Sequence, residues 1–173
     1  MRVPRLGPLP DFEPPPEREA PPQPAEAVEP TAVTIPAIGV ETSLVKLGLN
    51  PDHTMEVPQD FSLAGWYTGA AQPGQRGPAV IAGHVDSHDG PAVFFRLREL
   101  SRGDRIKVAR SDGSRVTFRV DGVEQFPKDV FPSGRVYAMT SEPTLRLITC
   151  AGDFDTAERS YEDNVVVFAS LAG

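Results

Sequence analysis

Apolar residues in this chain come in runs too short for an amphipathic helix, and turn residues break them at nearly every step. GPAVIAGHV (77–85), TLRLITC (144–150) and DNVVVFASL (163–171) are apolar, β-branched stretches of strand length. GDRIKVAR (103–110) and SRVTFRVDGVEQF (114–126) alternate with a period of two, and the SDG between them is a hairpin signal. AVTIPAIGVETSLVKLGL (32–49) reads as two strands split by proline and glycine, and TMEVP (54–58) as one more. FSLAGWY (61–67) suits a single helical turn, and AVFFRLREL (92–100) a short helix. No segment repeats. About eight short strands without alternating helices predict an all-β domain, a closed β-barrel, over residues 31–173.

The first 30 residues belong to something else. Ten of the chain's 19 prolines fall there, mixed with acidic residues. Proline fixes φ and removes backbone donors, and such a segment buries too little apolar surface to offset its ordering entropy. It is expected to be an extended linker. Within it, PLPDFEP (8–14) opens with Leu9-Pro10 and suggests a second role, a non-cleavable mimic lying in the domain's own groove.

The formal net charge is −7, and no Lys/Arg cluster stands out, which argues against a nucleic-acid partner. MRVPRLGPLPDF has no apolar core of a signal peptide, and no apolar run approaches the roughly 20 residues that cross a bilayer. One cysteine among 173 residues cannot form an internal disulfide.

That cysteine, Cys150, closes the run LRLIT, and a small acidic loop follows it. Considered alone it is a small packing residue or a reactive thiol. A catalytic thiol needs a base or cation nearby, since the thiolate is the nucleophile and a free thiol titrates at about 8.5. Of the three histidines, His53 sits in the turn-like NPDHTM, whereas His84 closes the apolar run AVIAG as Cys150 closes its own. Two reactive side chains at the ends of two strands suit a site on a rigid scaffold. Arg159, in the loop leading to the last strand, is a candidate oxyanion partner; Arg146 competes, because positions 146, 148 and 150 share a strand face. A zinc site from His84, Asp86, His88 and Cys150 is an alternative, opposed by the turn signal SHDGP.

IAGHVDS (81–87), LITC (147–150) and the final VVVFA (165–169), in that order, resemble the sortases. TIPAIGVETSLVKLGL (34–49) and the stretch from TMEVP to GWYTGA (54–70) look like sortases of actinobacterial type, and the whole pattern looks most like class F. The resemblance covers about 31–171. It implies an eight-stranded barrel, in agreement with the strand count. It also implies transpeptidation at an LPxTG-type sorting signal, without a cofactor. By that resemblance Cys150 attacks the Thr–Gly carbonyl and forms a thioacyl-enzyme. His84 protonates the leaving amine and deprotonates the incoming one, while Arg159 holds the substrate backbone and the oxyanion. Many sortases carry this arginine very close to the start of the last strand. Here Glu162, Asp163 and Asn164 stand there, and Arg159 is the only arginine in the connecting segment.

The loop FPKDVFPSGRVYAMTSEP (126–143) is expected to help line the groove for the sorting signal through Val130, Phe131, Val136 and Tyr137, with Thr149 beside the cysteine. The partners so implied are surface proteins bearing a C-terminal sorting signal and an amine of a peptidoglycan precursor, with water as the hydrolytic substitute. The implied place is the cell surface of a Gram-positive bacterium. There this chain would be a monomeric ectodomain, its linker leading to a membrane anchor not present in it. L,D-transpeptidases, with an SxGC-like motif, do not fit LITC. The rival of a different class is a non-catalytic β-barrel binding module with an inert, buried Cys150.

Overall fold

A computed structural model describes residues 28–51, 53, 55–87, 90–127, 130–155 and 160–172, with backbone only for 150–155 and 160–162. Arg159, His88, the side chain of Cys150 and the Pro-rich segment through residue 27 therefore lie outside the described residues.

Eight strands close into a barrel in the order β1 (Pro30–Ile35), β2 (Val40–Leu47), β3 (Ala64–Tyr67), β4 (Gly77–Ala82), β9 (Pro143–Asp155), β10 (Ser160–Leu171), β8 (Arg115–Pro127) and β7 (Arg105–Arg110), which returns to β1. The two-residue strands β5 (Asp86–Ser87) and β6 (Gly90–Pro91) pair antiparallel in a separate two-stranded sheet after β4. A closed barrel leaves no sheet edge to pair with another chain. The all-β, eight-stranded barrel expected from the sequence is the fold observed. Among the described residues the one α-helix, α1, is a single short turn at Ser133–Tyr137.

Local expectations fail where tertiary partners decide. FSLAGWY contains β3 and not a helical turn, because β3 lies parallel to β2, which supplies its ladder from Leu44↔Ala64 to Leu47↔Tyr67. TMEVP contributes only the bridge Leu49↔Met55. Glu56 closes that loop on itself: its N–H donates to the Gly48 carbonyl at 2.9 Å, and its carboxylate accepts from the Gly48 N–H at 3.0 Å. AVFFRLREL shrinks to a 3-10 turn at Leu97–Glu99. The Phe94 N–H donates to the His84 carbonyl, and Phe94 and Leu97 are both drawn into the core.

Two apolar clusters follow from the period of two. Leu145 and Leu147 of β9 and Val165, Val167 and Ala169 of β10 point into the barrel with Ile35, Phe94, Ile106 and Phe118. Ile148, Val166 and Phe168 face outward, yet they are buried too. Met55 and Val57 from the β2–β3 loop, and Phe131, Val136 and Tyr137 from the β8–β9 loop, cover them. A sheet whose two faces are both covered explains why β4 and the end of β9 read as continuous apolar runs.

Candidate active site

The outward face of β4, β9 and β10 is a floor laid out by register. Val80 pairs with Arg146 and Ala82 with Ile148 across the parallel β4–β9 ladder. Arg146 pairs with Phe168, Ile148 with Val166 and Cys150 with Asn164 across the antiparallel β9–β10 ladder. The β4–β9 register ends at Ala82↔Ile148; carried two residues further it would set residue 84 beside residue 150, whose partner on β10 is Asn164. Residue 84 follows the end of β4 by two residues, whereas residue 150 lies within β9, which runs on to Asp155 in a ladder with β10 where the sequence predicts a loop; 66 residues separate the two positions.

Backbone and hydroxyl groups fasten that junction. The Gly83 N–H donates to the Ile148 carbonyl at 3.1 Å. The Thr149 hydroxyl, on a side chain 2% exposed, donates to the Gly83 carbonyl at 2.7 Å. Thr149 therefore ties β9 to the His84 segment, a positioning role distinct from the substrate contact considered for it. Gly83 admits no side chain: a Cβ there would lie 2.8 Å from atoms of both Val93 and Phe94. Gly83→Ala should cost about 1–3 kcal/mol, as overpacking does. It should also lower turnover by displacing His84; urea unfolding and a peptide assay check the two effects.

His84 is 2% exposed, and its Nε2 lies 2.5 Å from the Pro58 carbonyl oxygen. A carbonyl only accepts, so Nε2 carries the hydrogen and Nδ1 holds the lone pair of the neutral ring. Phe61 packs against the imidazole with ring centroids 4.2 Å apart. Burial lowers the imidazole pKa from the ordinary 6.5, while the Pro58 carbonyl and the charge of Asp86 act to raise it. The unfolded chain then binds a proton at a pH where folded His84 does not, so stability falls as pH drops through 6.5 toward the folded value. Chemical denaturation across that window should show this slope for the native chain and a reduced one for His84→Gln.

The other expected groove residues divide by burial. Val136 is completely buried and Val130 is 65% exposed. Phe131 and Tyr137 are half-buried at the edge of the outer cluster, 6.3 Å apart by centroids. Burial raises the Tyr137 phenol above its ordinary value, and nearby Tyr67 adds to this. Arg146 lies beneath the loop, not at the reactive row. Its guanidinium sits 4.8 Å from the Phe168 ring centroid, Arg135 covers the same ring, and the Arg146 Nε has no hydrogen-bond partner. His53 is exposed in a turn, its N–H donating to the Asn50 carbonyl.

Sequence reasoning missed Pro58, Phe61, Gly83 and the full weight of Asn164. The sequence reading sets Asn164 with Glu162 and Asp163 at the start of the last strand; that strand, β10, instead begins at Ser160, the residue after Arg159 in sequence.

The elements thus build an eight-stranded closed barrel with a histidine just past the end of β4 and a cysteine on the neighbouring parallel strand β9. The sortase domain matches residues 33–172, and the chain belongs to the sortase family. No curated protein matches it in sequence. Among solved structures it is similar to a lid mutant of sortase A from Corynebacterium diphtheriae, at 21% identity over 88% of this chain and 74% of that one, with a TM-score of 0.64. Streptococcus agalactiae sortase C1 in complex with MTSET gives 18% identity, 83% and 67% coverage, and a TM-score of 0.64. Sortase C-1 from Actinomyces oris gives 17%, 83% and 73%, and 0.63. These likenesses establish the fold; family membership makes the chain a sortase-type cysteine transpeptidase. Sortases act on sorting-signal proteins and amine nucleophiles at the surface of Gram-positive bacteria. Among the described residues no helix is long and apolar enough to cross a membrane.

Proposed function

We propose that this sortase cleaves an LPxTG-type sorting signal between Thr and Gly and transfers the acyl fragment to an amine of a peptidoglycan precursor, in the manner of an actinobacterial class F enzyme. The observation that supports the reading is the parallel register Ala82↔Ile148, whose continuation by two residues would bring residue 84 beside residue 150. The Cys150 sulfur attacks the Thr carbonyl carbon, and the thiol proton passes to His84 Nδ1. The tetrahedral intermediate collapses by breaking the C–N bond, and the same proton leaves with the glycine amine. An incoming amine then attacks the thioester, gives its proton to Nδ1, and the thiol is regenerated with that proton. Water in place of the amine yields the free acid.

Arg159 is assigned to the substrate backbone and the oxyanion on the strength of the family resemblance. Phe131 and Tyr137, half-buried beside the floor, are the apolar contacts for the signal; Val136 fixes their loop, and Val130 contributes from its exposed tip. The enzyme works outside the cytoplasmic membrane.

A quenched LPxTG-type peptide, incubated with and without an amine acceptor, tests the reading. Cleavage whose product switches from acid to amide when the acceptor is added supports it. A folded enzyme that cuts no such peptide refutes the proposed signal.

A further inference from the structure

Asn164 is completely buried, and among the described residues neither its Nδ2 nor its Oδ1 has a hydrogen-bond partner. Leaving a buried amide unsatisfied is costly, and such groups are rare enough to need a reason. Its position supplies one. Asn164 is the direct cross-strand partner of Cys150, within a regular stretch of the β9–β10 ladder that runs from Asp163↔Ala151 to Ser170↔Thr144. Residues so opposed in an antiparallel pair have Cβ atoms roughly 4.5–5.5 Å apart. Packing alone does not call for an amide here: the two rows below it on β10, Val166 and Phe168, are filled by apolar side chains. Phe126, its partner on β8, offers no side-chain hydrogen bond either.

We infer that Asn164 is a catalytic residue of this site, its Nδ2 amide donating to the negative charge that forms at Cys150, first on sulfur and then on the oxygen of the tetrahedral intermediate. The inference rests on the reading of Cys150 as the nucleophile. A fully buried amide gets no help from solvent, so a group held at the neighbouring row is what can satisfy it. Donors aimed at charge that does not yet exist stabilise the transition state without reorganising, and are unsatisfied until the reaction begins.

The test compares the native chain with Asn164→Leu, which keeps the volume and removes both polar atoms. Two readouts are taken: kcat and KM on the quenched peptide, and the pH midpoint of Cys150 alkylation by iodoacetamide, which needs no substrate. The expected result is a kcat lower by about 10²-fold, the loss typical of one oxyanion donor, with KM within threefold. The alkylation midpoint should rise by at least half a pH unit, and the melting temperature should hold or rise as the unsatisfied amide disappears. An unmoved midpoint, or a kcat within twofold of the native value, overturns the assignment. Should leucine prevent folding, Asn164→Ala is read by the same criteria. If the native enzyme cuts no LPxTG-type peptide, the proposed signal fails separately, and the alkylation midpoint still decides the role of Asn164.

Discussion

Cys150→Ala is expected to abolish peptide cleavage and leave the barrel folded. The backbone at 150 is held by the pairing with Asn164, and the neighbouring Thr149 hydroxyl fixes the strand to Gly83. Neither interaction uses the sulfur. Without a nucleophile no thioacyl-enzyme forms, so turnover should fall by at least about 10³-fold, as when a covalent catalyst loses its attacking atom. Hydroxylamine makes the test specific. The native enzyme should convert the acyl fragment to a hydroxamate detectable by mass, and the variant should give none. Cleavage that persists in the variant would remove the thiol from the mechanism.

His84→Gln is expected to be the next most damaging change, lowering kcat by about 10²–10⁴-fold, the range for a lost general acid–base. Glutamine is chosen because its amide N–H can keep the hydrogen bond to the Pro58 carbonyl that imidazole Nε2–H makes. What it cannot do is carry a proton at the position of Nδ1. The loss should be larger with a poor leaving amine than with an activated ester of the same acyl group, whose leaving group needs no proton. Equal losses on both substrates would assign His84 a structural part only.

The sequence revealed the barrel because most of its strands are dictated locally. β7 and β8 carry the period-two pattern and the SDG turn, and β4, β9 and β10 are β-branched runs that suit few other structures. It concealed β3, since AGWY has no strand pattern of its own and is recruited by the exposed side of β2. The site divides the same way. Cys150 and His84 stood out in the sequence as candidates after apolar runs, but the continuation of β9 beyond Cys150 to Asp155 did not, because the small, acidic GDFD has no strand pattern of its own and is paired by β10. Pro58 and Phe61 were not, because their part is to hold the imidazole across a loop, which depends on tertiary geometry and leaves no spacing to read. Asn164 is intermediate: its place opposite Cys150 follows from a register that sequence alone does not fix, and its unsatisfied amide is visible only once its neighbours are in place. Arg159 lies outside the described residues, and its assignment remains a proposal drawn from family resemblance.

The parallel β4–β9 ladder has a consequence for how the enzyme comes into being. Its two strands are joined through β5, β6, β7 and β8, so almost half the domain must be arranged before residue 84 can stand beside residue 150. Contacts so distant in sequence form late and slowly, after the loop-closure entropy has been met. A nascent or partly folded chain therefore has its cysteine without its histidine, and recovery of turnover during refolding reports barrel closure more directly than any spectroscopic probe of strand content.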